Sequence, residues 1–250
     1  MNGLSKFRSA SILIVPLLVL SACGGGGADN DATSDPDNAA TAEVDPADQN
    51  IADESLLVLK DFPPGWEAAD AEQEDGTSRQ QKEKIAECVG VDYGELYDFG
   101  AKALSQNFTS EYDETVSSKV PVAADEATMK RAFEIGASAE FRKCSAEGVS
   151  DVAAANLKES GQNAKIGKVT VNEMSFDSFG DEINAFRVTV PIAVQGLEVE
   201  ATADIIQVRV GRASVVIQSN GVGNSLTSSE LSEYVEKAVE RLTQALEAAA

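Results

Sequence analysis

The stretch that decides the fold lies in the second half of the chain and reads INAFRVTVPIAVQGLEVEATADIIQVRVGRASVVIQS, residues 183–219. Apolar side chains alternate within it, most clearly from Phe186 to Ile192, which indicates strands with one buried face. Two-residue turn sequences interrupt it at Gln195-Gly196 and at Gly211-Arg212. With an alternating segment upstream, these runs predict an antiparallel meander of four strands. The predicted strands are 169–176, 183–194, 197–210 and 213–219.

The C-terminus carries the clearest helix signal. Thr227-Ser-Ser-Glu230 has the form of a capping box, which satisfies the first backbone N–H groups of a helix. An apolar stripe follows at helical spacing: Leu231, Tyr234, Val235, Ala238, Val239, Leu242 and Leu246. The stripe predicts packing across the meander, and hence an α+β fold in which helices cover an antiparallel sheet. Other patterns predict helices at 79–89, 125–144 and about 150–159, a strand at 115–122, and a strand or buried extended segment at 56–59.

The N-terminus has the layout of a secretory signal peptide. Lys6 and Arg8 precede an apolar run from Ala10 to Leu20, which is too short to span a bilayer as a helix. Leu20-Ser21-Ala22-Cys23 then matches the bacterial lipobox. This match predicts cleavage before Cys23 and acylation of its sulfur, so that lipid anchors the chain to the extracytoplasmic face of the cell membrane. The alternative is an ordinary signal peptide with a chance cysteine.

Three segments follow from these signals: a signal peptide at 1–22, a lipidated and disordered tether at 23–52, and a single α+β domain at 53–250. The tether is rich in glycine, alanine and aspartate, so it cannot bury enough apolar surface to offset the entropy of ordering. Over the whole chain, 42 acidic residues outnumber 20 basic ones and give a net charge of −22. Such a polyanion repels nucleic acids and anionic lipids, so membrane attachment is expected from the acyl chains alone.

The remaining two cysteines are expected to form a disulfide. With Cys23 lipidated, Cys88 and Cys144 are left in an oxidising compartment. In the loop-entropy account, a bond that closes the loop from position 88 to position 144 stabilises the fold by about 4 kcal/mol. Two buried thiols are the alternative. Redox catalysis is not expected, because the sequence lacks a Cys-x-x-Cys motif.

Aromatic residues occur in two places that are candidates for ligand contact. Trp66, the one tryptophan of the chain, follows Pro63-Pro64-Gly65 and is either an anchor closing one end of the core or a wall of a ligand pocket. Three of the four tyrosines, Tyr93, Tyr97 and Tyr112, lie in the next segment. Their rings could form the lip of a groove for a glycan or lipid, or could pin an irregular segment to the core.

Short motifs over most of residues 55–245 resemble a group of actinobacterial lipoproteins and exported domains. They are the lipobox, Asp61-Phe-Pro-Pro-Gly-Trp66, Cys88-Val-Gly-Val-Asp92, Val116-Ser-Ser-Lys-Val120, Cys144, Gly180-Asp181 and Val210-Gly-Arg-Ala213. The chain is similar to the extracellular sensor domain of PknH-type receptor kinases and to LpqN-type lipoproteins. This resemblance implies an antiparallel sheet flanked by helices, of the Mog1/PsbP-like kind, and supplies no catalytic residue. The chain has no kinase domain, so signalling by phosphorylation is not implied.

The sequence contains no histidine, which excludes Ser-His-Asp and Cys-His catalysis and nearly all zinc enzymes. A pair of carboxylates could catalyse glycoside hydrolysis. Among 42 acidic residues, however, pairs at a suitable separation arise by chance. We therefore expect no enzyme and no cofactor, and identify no metal ligand. The leading hypothesis is a tethered sensor or binding module for an envelope ligand or a partner protein. A lipid or glycolipid carrier with an internal cavity is the alternative, and a carboxylate-based cell-wall hydrolase is less favoured.

Overall fold

The computed structural model describes residues 44–71, 76–159, 164–194, 197–223 and 225–250. These residues form six α-helices: α1 (Pro46–Glu54), α2 (Gly76–Val89), α3 (Tyr93–Tyr97), α4 (Glu126–Gly136), α5 (Ala139–Glu159) and α6 (Ser228–Ala248). They also form nine strands: β1 (Glu67–Ala69), β2 (Ala101–Leu104), β3 (Asn107–Thr109), β4 (Thr115–Val122), β5 (Ala164–Ile166), β6 (Thr170–Glu173), β7 (Glu182–Val194), β8 (Leu197–Val210) and β9 (Ala213–Val222). The predicted signal peptide and the predicted lipidation site, Cys23, lie outside the described residues.

All nine strands belong to one antiparallel sheet. Its order is β1-β3-β4-β9-β8-β7-β5, while β2 pairs with the second half of β4 and β6 pairs with β7. The predicted meander is confirmed, because β6, β7, β8 and β9 are neighbours in sequence order. β4 and β8 have their predicted limits. The predicted strand at 169–176 is shorter than expected, and β5 continues the same edge beside the far end of β7.

Two glycines shape the turns of the meander. Gly180 has a φ of 57°, and a Cβ at this position would lie 2.5 Å from the Arg209 carbonyl oxygen. The loop that enters β7 can therefore approach β8 this closely only through glycine. Gly211, with a φ of 55°, lies in the turn between β8 and β9, where its N–H donates to the Asp181 carboxylate at 2.7 Å.

One face of the sheet is covered by α1 and α6. The predicted apolar stripe of α6 is confirmed, since its members are buried apart from Leu246, which is partly buried. The stripe shares one core cluster with Ile51 and Ala52 of α1 and with inward-facing residues of the central strands, such as Ile206. The predicted capping box also begins α6. Helix and sheet therefore meet through a continuous apolar interface.

The opposite face of the sheet is covered by α4 and α5. Val149 and Ala153 of α5 are buried against the alternating apolar residues of β7. α2 is fastened to α5 by the Cys88–Cys144 disulfide, whose Cα atoms are 5.8 Å apart, so this predicted pairing is confirmed. The sheet thus lies between two helical layers, as expected for the predicted α+β class. Within the described ranges, none of the helices has the length and apolar character needed to cross a bilayer.

The predicted helix at 125–144 is two helices, and the predicted helix at 150–159 is the end of the second one. α4 ends at Gly136, whose carbonyl accepts a hydrogen bond from the Asn184 side chain. Ser138 then begins α5, because its hydroxyl accepts from the Phe141 N–H. The spacing of four used for the prediction continues across this break, so the apolar pattern alone could not reveal it.

The predicted tether at 23–52 is too long at its C-terminal end. Residues 46–52 belong to α1, which begins with Asp45 as N-cap and Pro46 in its first turn. Ile51 and Ala52 are buried in the core, so the folded domain begins before the predicted residue 53. The helix was missed because only two of its side chains are buried, and its polar composition resembles that of a tether. Downstream, the segment 56–59, predicted as a strand or a buried extended segment, forms no strand. Leu57 is buried and Val58 is extended but exposed, and Leu59 begins a short 3-10 helix, Leu59–Asp61.

Candidate functional site

Four aromatic rings meet where the segment 62–66, β3 and α6 come together. The Phe62 ring is central, with centroid distances of 4.5 Å to Phe108, 4.6 Å to Tyr234 and 4.8 Å to Trp66. Phe62, Phe108 and Tyr234 are buried, whereas Trp66 is only partly buried. This packing agrees with the anchor interpretation of Trp66, because its ring closes one end of the core against Phe62 and Tyr234. Part of the indole nevertheless remains in contact with solvent.

An ion pair fixes the segment that carries Trp66 against α6. Arg241 donates to the two carboxylate oxygens of Asp61 at 2.8 and 2.5 Å, and also to the Leu56 carbonyl. Lys237 donates to the Asp61 carbonyl. Burial by itself raises the pKa of Asp61, but hydrogen bonds from Arg241 and from the Val58 N–H outweigh it and hold that pKa below its ordinary value. Asp61 is therefore ionised at neutral pH.

Tyr112 projects from the turn between β3 and β4. The Ser110 hydroxyl accepts from the N–H groups of Tyr112 and Glu114 and donates to the Glu114 carboxylate. Asp113 takes a positive φ of 63°, a conformation that aspartate tolerates in turns. With these bonds in place, Tyr112 is 65% exposed. A hydrogen-bonded turn thus holds a large ring in solvent.

Carboxylates approach Tyr234 from two elements. Burial, followed by the charges of Glu230, Glu233 and Glu114, raises the pKa of Tyr234 to about 12. Glu114 belongs to the turn before β4, whereas Glu230 and Glu233 belong to the first turns of α6. All three charges act in the same direction as burial and disfavour the ionised phenolate.

Tyr112 and Glu114 of the turn between β3 and β4, together with the partly buried Trp66, are called the Tyr112 surface; Tyr234 packs against Trp66 but is itself buried. Trp66 belongs to it because it immediately precedes β1, which pairs with β3 beside the turn. On it the Tyr112 ring is exposed, and the Glu114 carboxylate lies in the same turn. Such a combination favours cationic groups, which are attracted by ring faces and by carboxylates alike.

The other two predicted tyrosines lie on α3. Their ring centroids are 5.2 Å apart, with the Arg79 guanidinium 5.3 Å from the Tyr93 ring and the Lys82 ammonium 5.8 Å from the Tyr97 ring. Burial, followed by the interaction with Tyr93, raises the pKa of Tyr97 above its ordinary value. These contacts join α3 to α2.

The four predicted ligand residues do not form one groove. α3 leads into β2, which pairs with the C-terminal half of β4, whereas the Tyr112 turn leads into its N-terminal end. The length of β4 separates the two groups by about 23 Å. The structure brings Trp66 and Tyr112 to one surface and places Tyr93 and Tyr97 in a packing contact. The segment between Tyr97 and Tyr112 is also more regular than expected, since it contains β2 and β3.

The cysteine pair is close to a third group that could ligate a metal. A Glu140 oxygen and the sulfurs of Cys88 and Cys144 lie within 4.8 Å of one another. Metal binding by cysteine requires thiolates, however, and both sulfurs are engaged in the disulfide. This cluster is therefore structural. Acylation of Cys23 remains a prediction, since that residue lies outside the described part of the chain.

Sequence reasoning missed one member of the surface, Glu114. Tyr234 was expected in the buried stripe of α6, and its burial in the core confirms that prediction. Glu114 is one of many acidic residues. The one sequence signal for it is the Ser110-to-Glu114 spacing, which suits a side chain bonded across a short turn.

Comparison with known proteins returns solved structures only: no protein-family model and no curated protein matches the chain. The extracellular domain of PknH from Mycobacterium tuberculosis is 9% identical, with a TM-score of 0.42, and the match covers 81% of this chain and 100% of that one. LpqN of the same organism, described as involved in cell envelope biogenesis, is 10% identical over 71% of this chain and 75% of that one, with a TM-score of 0.24. A Mog1 mutant is 14% identical over 74% and 84%, with a TM-score of 0.23. The first two are of the kinds that the sequence motifs resemble, and Mog1 stands for the kind of fold that this resemblance implies.

Proposed function

We propose that this chain is a lipid-anchored, extracytoplasmic binding module that recognises a cell-envelope ligand or a partner protein with its outer surface. The observation that carries the proposal is the filled interface between α6 and the sheet. Leu231, Val235 and Leu242 of α6 are fully inaccessible there. A domain whose sheet is sealed in this way has its surface, rather than its interior, available for recognition.

The same packing argues against the lipid carrier. A carrier of this architecture needs an apolar cavity between the sheet and the terminal helix, of a size that admits an acyl chain. In this domain α6 and the central strands instead form one cluster of buried side chains. Opening a cavity there would separate these buried side chains and lose their apolar contacts. We therefore favour surface binding over internal transport.

The buried carboxylates support a function without catalysis. A glycosidase acid needs a carboxyl group whose pKa is raised so that it holds a proton at neutral pH. Asp61 has the opposite property, because Arg241 keeps its pKa low. Asp204 is buried and engaged by Arg187 through two hydrogen bonds. These carboxylates serve as partners of arginine, and the sequence supplies no histidine to replace them.

The anchor is proposed from the lipobox and is tested by metabolic labelling. The full chain and a Cys23→Ala variant are expressed in an actinobacterial host with an alkyne analogue of palmitate. The wild-type chain should take up the probe and fractionate with membranes, and the variant should do neither. Equal labelling of both chains would refute acylation at Cys23 and would leave the fold unaffected.

Binding and transport are distinguished on the same membrane-extracted protein. Mass spectrometry of material purified in mild detergent should find no stoichiometric lipid beyond the covalent acyl groups. Cross-linking in intact cells should capture a reproducible envelope component that is absent when the chain carries the Tyr112→Ala substitution. A lipid that co-purifies in equimolar amount would favour the carrier and overturn the proposal.

A further inference from the structure

The first residues of β8 extend beyond the end of β9. β8 begins at Leu197, four residues before its pairing with β9 starts at Ala201. Gly223, the residue after β9, still donates its N–H to the Glu200 carbonyl at 2.9 Å, but its φ is 74°. Leu226 is then buried in the cluster beneath α6, so the chain leaves the sheet at this point. Among the described residues, the start of β8 therefore pairs with β7 alone.

The backbone groups of Glu198 point towards this open edge. Successive residues of a strand direct their N–H and C=O groups to opposite sides, so alternate residues share a side. Because the Glu200 carbonyl bonds to Gly223 on the β9 side, the N–H and C=O of Glu198 face that side as well. Within the described ranges, neither group of Glu198 has a hydrogen bond on this edge. An added strand would satisfy them, as β9 satisfies the later residues of β8.

Apolar side chains are exposed on one face of this segment. Leu197 and Val199 are 72% and 40% exposed. The register of the hairpin places them opposite Val194 and Ile192 of β7. The same row continues into Ala201, which is buried in the cluster beneath α5. The cover from α5 therefore does not reach the end of the strand, and burying these two side chains against a partner would be favourable.

The other face of the segment is acidic. Glu198 and Glu200 are exposed, and in the described part of the chain neither carboxylate forms an ion pair. Lys165 of β5 shares their face, but it lies two strands from Glu198, at a distance of about 10 Å. Pairing of this edge with a second copy of the chain would bring carboxylates against carboxylates, which is unfavourable. The same carboxylates favour a strand with basic residues at alternate positions.

We propose that the open edge of β8 accepts an extended segment of a partner protein in which basic and apolar residues alternate. The segment adds an antiparallel strand, and its backbone bonds to Glu198. Its apolar side chains lie beside Leu197 and Val199, and its basic side chains lie beside the two carboxylates. The inference goes beyond the proposed function, because it requires neither the lipid anchor nor an envelope origin of the partner.

The test measures fluorescence anisotropy of a labelled peptide, Lys-Val-Lys-Val-Lys-Val-Lys, with the full chain in a non-ionic detergent. A block peptide of the same composition and charge, Lys-Lys-Lys-Lys-Val-Val-Val, should bind at least about fivefold more weakly. In an antiparallel pair, residues directly opposite share a face, so the lysines opposite the glutamates carry the N–H groups that face β8. Methylation of the lysine backbone nitrogens should therefore weaken binding at least about tenfold, whereas methylation of the valine backbone nitrogens should not.

Protein variants supply matched comparisons. Glu198→Pro removes the N–H that faces the edge and keeps the bonds between β7 and β8, so it should abolish binding with little change in the urea midpoint. Glu198→Gln/Glu200→Gln should weaken binding about fivefold, the effect of two exposed ion pairs. Glu236→Gln/Glu240→Gln removes the same charge from exposed positions of α6 and should change binding by less than about twofold.

No saturable binding at about 1 mM peptide, or equal losses for the two methylated peptides, would overturn the proposal. Equal binding of the alternating and block peptides would overturn it as well, because diffuse charge would then explain the affinity. A dimer in sedimentation velocity that Glu198→Pro dissociates would make a second copy the occupant, against the proposal. These results are separate from the proposed function, which is tested by labelling at Cys23 and by capture in cells.

Discussion

Removal of the Cys88–Cys144 disulfide should destabilise the domain by about 4 kcal/mol. The two cysteines are 56 positions apart in the sequence, and a cross-link over a loop of that size lowers the entropy of the unfolded chain by an amount worth about 4 kcal/mol at room temperature. The bond also joins α2 to α5 on one side of the sheet. Total stabilities of single domains lie at about 5–15 kcal/mol, and the change is therefore large.

The measurement is urea unfolding of a chain that starts at Gly24, with Cys88→Ser/Cys144→Ala compared with the oxidised wild type. Alanine is chosen at Cys144 because that side chain is buried, whereas Cys88 is exposed and tolerates a hydroxyl. For a slope of about 2 kcal/mol per molar urea, the midpoint should fall by about 2 M. The slope itself should rise, since the unfolded chain becomes more expanded.

Wild-type protein reduced with a dithiol is the control, because it loses the cross-link while keeping both sulfur atoms. The urea midpoint of the reduced protein should agree with that of the double variant. The two proteins differ only by the Cys88 hydroxyl substitution and by the sulfur atom at buried position 144, whose effect is small. A loss below about 1 kcal/mol with an unchanged slope would show that the loop constraint does not stabilise this fold as argued. Thiols that react with a chromogenic disulfide in the denatured, unreduced chain would show that the bond is absent.

Three further predictions concern α6. Arg241→Met leaves the buried Asp61 carboxylate unpaired and should cost about 3 kcal/mol at pH 7. Because the folded-state pKa of Asp61 is lowered from 3.8, the stability gained from the pair is present above that value and is lost as the pH falls through the lowered pKa, so urea midpoints of variant and wild type should converge in acid. Leu242→Ala, at a fully buried position, should cost about 3 kcal/mol in urea unfolding, and Leu246→Ala, which is partly buried, clearly less. Thr227→Ala removes the helix cap and should lower the stability by about 1 kcal/mol in thermal unfolding, whereas Thr227→Ser should preserve it.

The meander could be predicted because its strands are long and their turns are chemically explicit. β8 is bounded by Gln195-Gly196 and Gly211-Arg212, and its alternation continues through the core even though Asp204 lies at its centre. That aspartate is accommodated by Arg187, its direct cross-strand neighbour in β7. Sequence alternation does not say which strands become neighbours, however. The pairing of β4 with β9 joins segments that are far apart in the chain, and no local signal predicts it.

The Tyr112 surface could be predicted only in pieces. Trp66 and Tyr112 are conspicuous in the sequence as rare, large rings next to turn residues. Their common surface depends on β1 pairing with β3, a contact of three residues on each strand that is too short to leave an alternating pattern. Proximity in sequence suggests one group for Tyr93, Tyr97 and Tyr112, but β2 and β3, which separate them in the chain, pair with opposite ends of β4.

The arrangement of α6 separates stability from recognition. Its inner face fills the sheet interface with side chains whose removal destabilises the domain, whereas its N-terminal turns place Glu230 and Glu233 on the outside. Exposed residues such as Tyr112 can therefore change without loss of the core, because they contribute little buried area. A domain with this division can vary its binding through a few surface side chains while the disulfide, the Asp61–Arg241 pair and the buried α6 interface keep the same scaffold. On this reasoning, substitutions at the Tyr112 surface should alter binding with unchanged urea midpoints, whereas those in the α6 stripe should alter both together.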